Sequence, residues 1–283
     1  MTMPPIGAHV SAAGRLSDAI QRATNIGAEC IQLFGASPQQ WAARMPREAD
    51  TEDFKKRRAE SGIGPAYLHA AYLVNLASPD PALRERSERS LADHLKIAGL
   101  LGADGLIFHI GSGKELPKEE ALRHVVGAMQ RVLERTPGES FLVIENSAGG
   151  GQKIGSSPEE IAHIMRHVGS PRVKTCFDTA HAFEAGLIER YDREGVARLI
   201  GRLDETVGLR ALVALHVNDS KTAFNSHHDR HENIGEGQIG LDGFRELAKR
   251  AELHDKAWIL EVPGFENAGP DRRNIELLKS CFS

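Results

Sequence analysis

Eight short apolar runs alternate with amphipathic segments along almost the whole chain. The runs are IGAHV, CIQLF, PAYLHA, GLIFHI, FLVIEN, VKTCFD, LVALHVN and AWILEV, and their length and composition predict strands. The segments between them have helical spacing. In SPEEIAHIMRHVG, for example, Ser157 is a predicted N-cap, Pro158 opens the first turn and Gly169 ends the helix. Eight strand-helix repeats without a dividing linker favour one α/β domain over residues 1–283, a closed (β/α)8 TIM barrel. A doubly wound open sheet is the alternative.

The composition is that of an ordinary globular protein with a large core. Of the 283 residues, 41% are hydrophobic and 26% are charged. No apolar run approaches the roughly 20 residues of a membrane-spanning helix and no secretory segment opens the sequence, so we expect a cytoplasmic protein. Three widely spaced cysteines predict buried apolar residues. The net charge of −4 argues mildly against a nucleic-acid partner without excluding one, because bound cations make a cleft locally positive.

Six consecutive predicted strands, the third to the eighth, end in a side chain that can bind a metal ion. They are His69, His109, Glu145, Asp178, His216 and Glu261. In a (β/α)8 barrel all of these strand ends open on one face, so residues far apart in the sequence converge at one mouth. Six crowded ionisable groups are costly to bury without a compensating cation. The pattern therefore predicts a metal centre.

Two loops add three more candidate ligands. In DTAH, His181 follows Asp178 by three residues, and in HVNDSKTAFNSHHDRHENIGEG, Asp229 and His231 lie on the same side of a short extended segment. A catalytic zinc ion usually takes three protein ligands and keeps one position open. Nine ligands therefore suit three ions. Five imidazoles with four carboxylates favour zinc, with manganese or iron as alternatives.

Three neighbouring divalent ions suit the hydrolysis of a phosphoester, whose transition state gathers negative charge. The alternative is a metal-dependent sugar isomerase or epimerase of the xylose isomerase-like barrel class. Such an enzyme needs only one or two ions, so the third ligand set argues against it. A purely structural metal protein is a further alternative, but structural sites tend to be closed and four-coordinate.

The sequence resembles the endonuclease IV family of apurinic/apyrimidinic endonucleases. The resemblance rests on seven motifs in order: GAHVSAAG, YLHAAYLVNLASP, FHIGS, IENSAGGGQKIG, FDTAHAFEAG, HVNDSKTAFNSHHDRHENIGEGQIG and LEVP. It implies a barrel of the xylose isomerase-like superfamily that incises duplex DNA 5′ to abasic sites during base excision repair. The products would be 3′-hydroxyl and 5′-deoxyribose phosphate ends, and 3′-blocked ends would be a second class of substrate.

The resemblance also assigns the ligands to three zinc ions. His69, His109 and Glu145 would hold the first ion, and Glu145 would bridge to a second ion. The second would be held by Asp178, His216 and Glu261, and the third by His181, Asp229 and His231. Glu145 and Glu261 would serve catalysis by holding the ions that carry the attacking hydroxide.

The family pattern further implies contacts with DNA. Tyr72 and Leu73 occupy the positions of a wedge that fills the gap left by a flipped-out nucleotide. Gln39 stands where better-known members have an arginine that inserts into DNA. From its position between two candidate ligands, Arg230 is predicted to contact a phosphate, with a salt bridge within the loop as the alternative. The family pattern implies that His9, at the end of the first strand, supports the substrate site through hydrogen bonds without binding metal. One chain can build a cleft for duplex DNA, so we expect a monomer.

Several other polar features have simpler interpretations. The basic run Lys55 to Arg58 and the pair His163 and His167 fall on helices that a barrel places on its outer wall, so we expect solvated faces. Asn146 directly follows Glu145 and Asn218 follows His216 by two residues, and we expect each asparagine to hold its neighbouring ligand in place.

Overall fold

The protein is described by a computed structural model that covers residues 3–37, 40–41 and 43–283. Eight parallel strands, here β1 to β8, close into a barrel in which each strand pairs with its neighbours in the sequence and β1 pairs with β8. This confirms the (β/α)8 TIM barrel and excludes the open sheet. The strands are Ile6–His9, Ile31–Phe34, Ala66–His69, Gly105–Phe108, Phe141–Glu145, Val173–Asp178, Leu212–His216 and Ala257–Leu260.

Helices cover the outside of the barrel. In chain order, α1 to α9 are Asp18–Ile26, Glu48–Ser61, Pro81–Leu101, Lys118–Arg135, Pro158–Val168, Thr179–Glu184, Arg193–Thr206, Gly240–Ala248 and Arg272–Ser280. The predicted ends of α5 are confirmed: the Ser157 hydroxyl accepts a hydrogen bond from the Glu160 N–H, and Gly169 ends the helix with a left-handed φ of 68°. No helix of the described residues is long and apolar enough to span a bilayer.

The alternation of side chains along the strands places the polar groups at the mouth. All three cysteines are buried, as predicted, and free. Inside the barrel, side chains in or directly beside seven of the strands form an apolar layer in which they pack against one another. On seven strands the residue two positions after this layer is polar, and it therefore points along the same inner face. These residues are Gln32, His69, His109, Glu145, Asp178, His216 and Glu261.

Close packing of β1 against β2 requires a glycine at position 7. A Cβ atom at Gly7 would lie 1.8 Å from the carbonyl oxygen of Cys30, and neither backbone can move without opening the barrel. We expect Gly7→Ala to lower the free energy of unfolding by about 3 kcal/mol. Gly201 of α7 is the matched control, since a Cβ there meets no atom within 4 Å; Gly201→Ala should raise stability by about 0.5–1 kcal/mol. Urea denaturation measures both, and equal effects would contradict the prediction.

Candidate metal centre at the barrel mouth

The nine predicted ligands come together at the C-terminal end of the barrel. Four of them close a strand, while His109 and Glu261 lie one residue past β4 and β8. Three compact groups form, within each of which the ligand atoms lie within 4.8 Å of one another. The groups are His69, His109 and Glu145; Glu145, Asp178, His216 and Glu261; and Asp178, His181 and His231. Glu145 and Asp178 each belong to two groups, so neighbouring groups share a carboxylate.

Glu145 lies at the centre of the cluster and is almost completely buried. Its Oε2 atom lies 3.2 Å from Nε2 of His69 and 3.5 Å from Nε2 of His109. Its Oε1 atom lies 3.0 Å from Nδ1 of His216 and 3.2 Å from Nδ1 of His181. The two oxygens of one carboxylate therefore face different imidazoles, His69 and His109 on one side and His216 on the other, which suits a carboxylate that bridges two cations.

Asp178 connects the strand ends to the first loop. It is the N-cap of α6, where its Oδ1 atom accepts a hydrogen bond of 2.7 Å from the backbone N–H of His181. The Asn218 side chain donates to Oδ2 at 2.7 Å, and the Asn146 side chain accepts from the Asp178 N–H at 2.6 Å. Both asparagine side chains therefore support a ligand, but that ligand is Asp178 and not the one beside each of them in the sequence. The helix cap turns His181 toward the mouth.

A hairpin brings the last two candidate ligands over the mouth. The two-residue strands Asp219–Ser220 and His231–Glu232 pair in antiparallel fashion, and the segment between them carries Asp229. The carboxylate of Asp229 lies 3.2 Å from Nε2 of His181 and 3.5 Å from Nε2 of His231. His231 Nε2 also lies 3.7 Å from Asp178. The hairpin thus closes a third set of ligands around His181.

Gln32 is a site residue that the sequence interpretation missed. Its side-chain amide donates to Glu261 at 2.5 Å and accepts from Nε2 of His216 at 2.8 Å. His9 lies in the same network, with Nδ1 2.8 Å from Gln32 and 3.2 Å from Glu261, and its role in supporting the substrate site stays a prediction. The available signal was that Gln32 is the one polar residue in the strand CIQLF.

Hydrogen bonds to one ring nitrogen orient three of the imidazoles. His69 Nδ1 lies 2.8 Å from the Ala70 carbonyl, His181 Nδ1 lies 2.8 Å from the Asn146 carbonyl, and His216 Nε2 faces Gln32. A neutral imidazole that donates from one nitrogen presents a lone pair at the other. Each second nitrogen faces a carboxylate of the cluster, which is how metal-binding histidines are held in place in proteins.

The mouth also carries the electrostatic signature of a cation site. Burial opposes the charge on His181, but Asp178 and Asp229 outweigh it and raise the pKa of this imidazole well above its usual value. Burial likewise opposes the charge on Glu145, yet the neighbouring imidazoles His109 and His216 bring its pKa well below the usual range. Positive charge on His181 and His216 and negative charge on Glu145 therefore stabilise each other at the mouth.

The donor set fits divalent metal ions. The Nε2 atoms of His181 and His231 are buried and lack a hydrogen-bond partner among the described residues, although a carboxylate lies within 3.5 Å of each. Buried polar atoms are normally satisfied. Unpaired nitrogens beside carboxylates, combined with shared carboxylates between groups, are what a set of bound cations would complete.

A cavity of about 830 Å³ opens above the cluster. Arg230 lines it and is exposed, and its guanidinium donates to the carbonyl of Asp229 at 2.9 Å. Tyr72 also lines this cavity, with 66% of its surface exposed, and its ring packs edge-on against Phe34. A second cavity of about 400 Å³ lies on the other side of Tyr72. Leu73, 36% exposed, lines this second cavity instead.

The other described residues that were singled out in the sequence do not contribute to the ligand cluster described above. Gln39 lies outside the described residues. His163 and His167 stack on the outer face of α5 with ring centroids 4.0 Å apart, away from the mouth. The basic run in α2 forms ion pairs with neighbouring acids, for example Lys55 with Glu52. The histidine pair and the basic run therefore lie on the outer wall, as expected.

Comparison with known proteins identifies relatives over the full length of the chain. The family model described as xylose isomerase-like TIM barrel matches residues 20–281. A protein of Persephonella marina named probable endonuclease 4 is 35% identical over 278 residues, which cover 98% of this chain and 96% of the relative.

Solved structures agree with this result. Endonuclease IV from Thermus thermophilus superposes with a TM-score of 0.85 at 33% identity, over 98% of both chains. A D-tagatose 3-epimerase-like protein superposes with a TM-score of 0.71 at 17% identity, over 97% of this chain and 96% of the other. At that identity the epimerase-like protein shows only the shared barrel.

Proposed function

The chain belongs to the endonuclease IV family, and from this premise we propose that it hydrolyses the phosphodiester bond 5′ to abasic sites in duplex DNA. The observation that carries the proposal is the sharing of Glu145 and Asp178 between three adjacent ligand groups. A sugar isomerase has no need of the third group. The products would be a 3′-hydroxyl and a 5′-deoxyribose phosphate, and removal of 3′-blocking groups is part of the proposal.

We propose three zinc ions as the cofactors, with manganese or iron as alternatives. His69, His109 and Glu145 would hold the first, and Glu145, Asp178, His216 and Glu261 the second. The third would be held by His181, Asp229 and His231, with Asp178 close by. Bound divalent ions supply a water of lowered pKa as nucleophile and positive charge for the phosphate and the leaving oxygen.

The protein's own groups hold and orient this centre. Glu145 offers one oxygen to each side, and Glu261 is fixed by Gln32 and His9. Burial opposes the charge on both carboxyl groups, but the neighbouring imidazole of His216 helps to hold the pKa of each below its usual range. No side chain is required as a covalent nucleophile. The catalytic contribution of Glu145 and Glu261 is therefore to fix the relative positions of the cations and of the phosphate that they bind.

The rim of the cavity suits a distorted duplex. Tyr72 and Leu73 are apolar groups exposed beside the ligand cluster, where they would fill the space left by an extruded nucleotide. The exposed guanidinium of Arg230 would contact a phosphate, with His9 behind it in the network that holds Glu261. Gln39 remains a predicted DNA contact. We further propose that one domain of one chain performs the reaction in the cytoplasm as a monomer.

The decisive experiment uses a duplex with a single tetrahydrofuran abasic analogue and the zinc-loaded protein. The analogue has no aldehyde, so a lyase that acts through a Schiff base cannot cut it. We expect incision immediately 5′ of the analogue with a 3′-hydroxyl product. His69→Ala should lose this activity, while His163→Ala, on the outer wall, should retain it. An intact duplex with metal-loaded protein would refute the proposal and direct attention to ketose epimerisation.

A further inference from the structure

Glu184 is a buried carboxylate that the ligand scheme does not use. It is the last residue of α6, one turn after His181, and none of its surface is exposed. No Lys, Arg or His of the described residues lies within 4.0 Å of its oxygens to form an ion pair, and its Oε2 atom has no hydrogen-bond partner there. A glutamate in such a place is costly to bury, so its contacts need an explanation.

The other oxygen, Oε1, is the meeting point of both arms of the hairpin. From the first arm it accepts hydrogen bonds from the hydroxyl groups of Ser220 at 2.8 Å and Thr222 at 3.2 Å. From the second arm it accepts from the backbone N–H of Arg230 at 3.2 Å. One oxygen on α6 therefore fixes two segments that are ten residues apart in the sequence.

The bond to Arg230 falls between two candidate ligands. Asp229 and His231 flank this residue, so its N–H sets the position of the backbone from which both side chains extend. His181 extends from the same helix as Glu184 and meets Asp229 at 3.2 Å. The carboxylate thus lies behind all three members of the third ligand set without touching the metal-facing atoms of any of them.

We propose that Glu184 is a positioning residue that holds the hairpin over His181 and thereby sets the affinity of the third metal site. This inference rests on the proposed three-ion centre. Outer groups that orient metal ligands typically contribute about 10–100-fold to affinity. The closed end of the hairpin has its own anchors, because the carbonyls of Phe183 and Glu184 accept from the N–H groups of Asn225 and His227. Loss of the side chain should therefore loosen the arms without detaching the loop.

The test compares Glu184→Ala with Glu184→Gln, which keeps a side-chain oxygen for all three donors. Glu88→Ala is the matched control: Glu88 is also buried, but it pairs with Arg131 between two outer helices. Zinc affinities are measured by competition with a chromophoric chelator. We expect the zinc ion of the third site to bind about 10–100-fold less tightly in Glu184→Ala, with near-native binding of all ions in Glu184→Gln and Glu88→Ala.

A second readout, amide hydrogen exchange of residues 219–232 in the metal-free protein, separates this inference from the proposed reaction. Glu184→Ala should speed exchange there at least about tenfold, and Glu184→Gln should not. Native exchange and zinc affinity in a folded Glu184→Ala would overturn the inference, as would equal losses in Glu88→Ala. Failure of the wild-type protein to incise DNA would refute the proposed reaction while leaving the exchange result intact.

Discussion

Replacing Glu145 by glutamine should reduce incision of an abasic-site duplex at least about 100-fold. Substitution of groups that merely orient a ligand costs about 10–100-fold, and Glu145 is a proposed ligand itself, shared by two groups. Glutamine keeps the shape but has one oxygen and no charge, so it can serve only one pair of the surrounding imidazoles. The amide nitrogen would face the other pair as a donor. Incision rates of zinc-loaded protein on the tetrahydrofuran duplex measure the effect.

The matched control for this prediction is Glu88→Gln. It also removes the charge of a buried glutamate, but at the contact with Arg131 between α3 and α4. We expect a modest loss of stability there and near-native incision. If both variants lost activity equally, the loss would reflect general destabilisation. If Glu145→Gln cut DNA at the native rate, the bridging role of Glu145 would be wrong.

The position of the site could be predicted from the sequence because consecutive strands of the barrel are neighbours around a ring and their C-terminal ends open on the same face. A ligand at the end of each of six strands needed no knowledge of contacts; parallel strands alone bring the ends together. The boundary errors were one or two residues: the predicted runs GLIFHI and AWILEV, for example, extend two residues beyond the ends of β4 at Phe108 and β8 at Leu260. Such errors leave the inner face of a strand unchanged, since its alternation continues past the last hydrogen bond.

The roles of Gln32 and Glu184 could not be predicted from the order of strands and ligands in the sequence. Both act through the partners of their side chains, and those partners lie far away in sequence: Gln32 contacts Glu261, and Glu184 contacts both arms of the hairpin. A single glutamine in an apolar strand or a glutamate in a short helix has many equivalent interpretations. Only the three-dimensional contacts of such a side chain distinguish a group that orients a ligand from one that faces water.

The assignment of the third ligand set is similarly a matter of distances. The resemblance grouped His181 with Asp229 and His231, whereas the group whose ligand atoms all lie within 4.8 Å of one another contains Asp178 in place of Asp229. The two descriptions are compatible because Asp229 contacts both imidazoles and Asp178 lies 3.7 Å from His231. The resemblance implied the shared role of Glu145, whereas the shared position of Asp178 is recognised only from the distances.

Removing the metal ions should lower thermal stability substantially. An ion that binds the folded chain at 1,000 times its dissociation constant stabilises it by about 4 kcal/mol. At roughly 2–4 °C per kcal/mol for a chain of this size class, chelation should lower Tm by roughly 10 °C. Differential scanning calorimetry of zinc-loaded and chelated protein measures this shift. His163→Ala should respond as the wild type does, because its helix lies on the outer wall.

The difference in Tm between the zinc-loaded and the metal-free protein should increase with pH. Burial opposes the charge on His181 and His69, but Asp178 and Glu145 respectively hold the pKa of each imidazole above its usual value. A raised pKa in the folded state stabilises the metal-free protein below the unfolded value of about 6.5, and this contribution is lost as pH rises through the folded pKa. Zinc binds neutral imidazole, so deprotonation of these imidazoles costs the zinc-loaded protein no stability over the same pH range. A difference in Tm that shrank between pH 6.5 and pH 8.5 would show that protons on these imidazoles do not substitute for the cations.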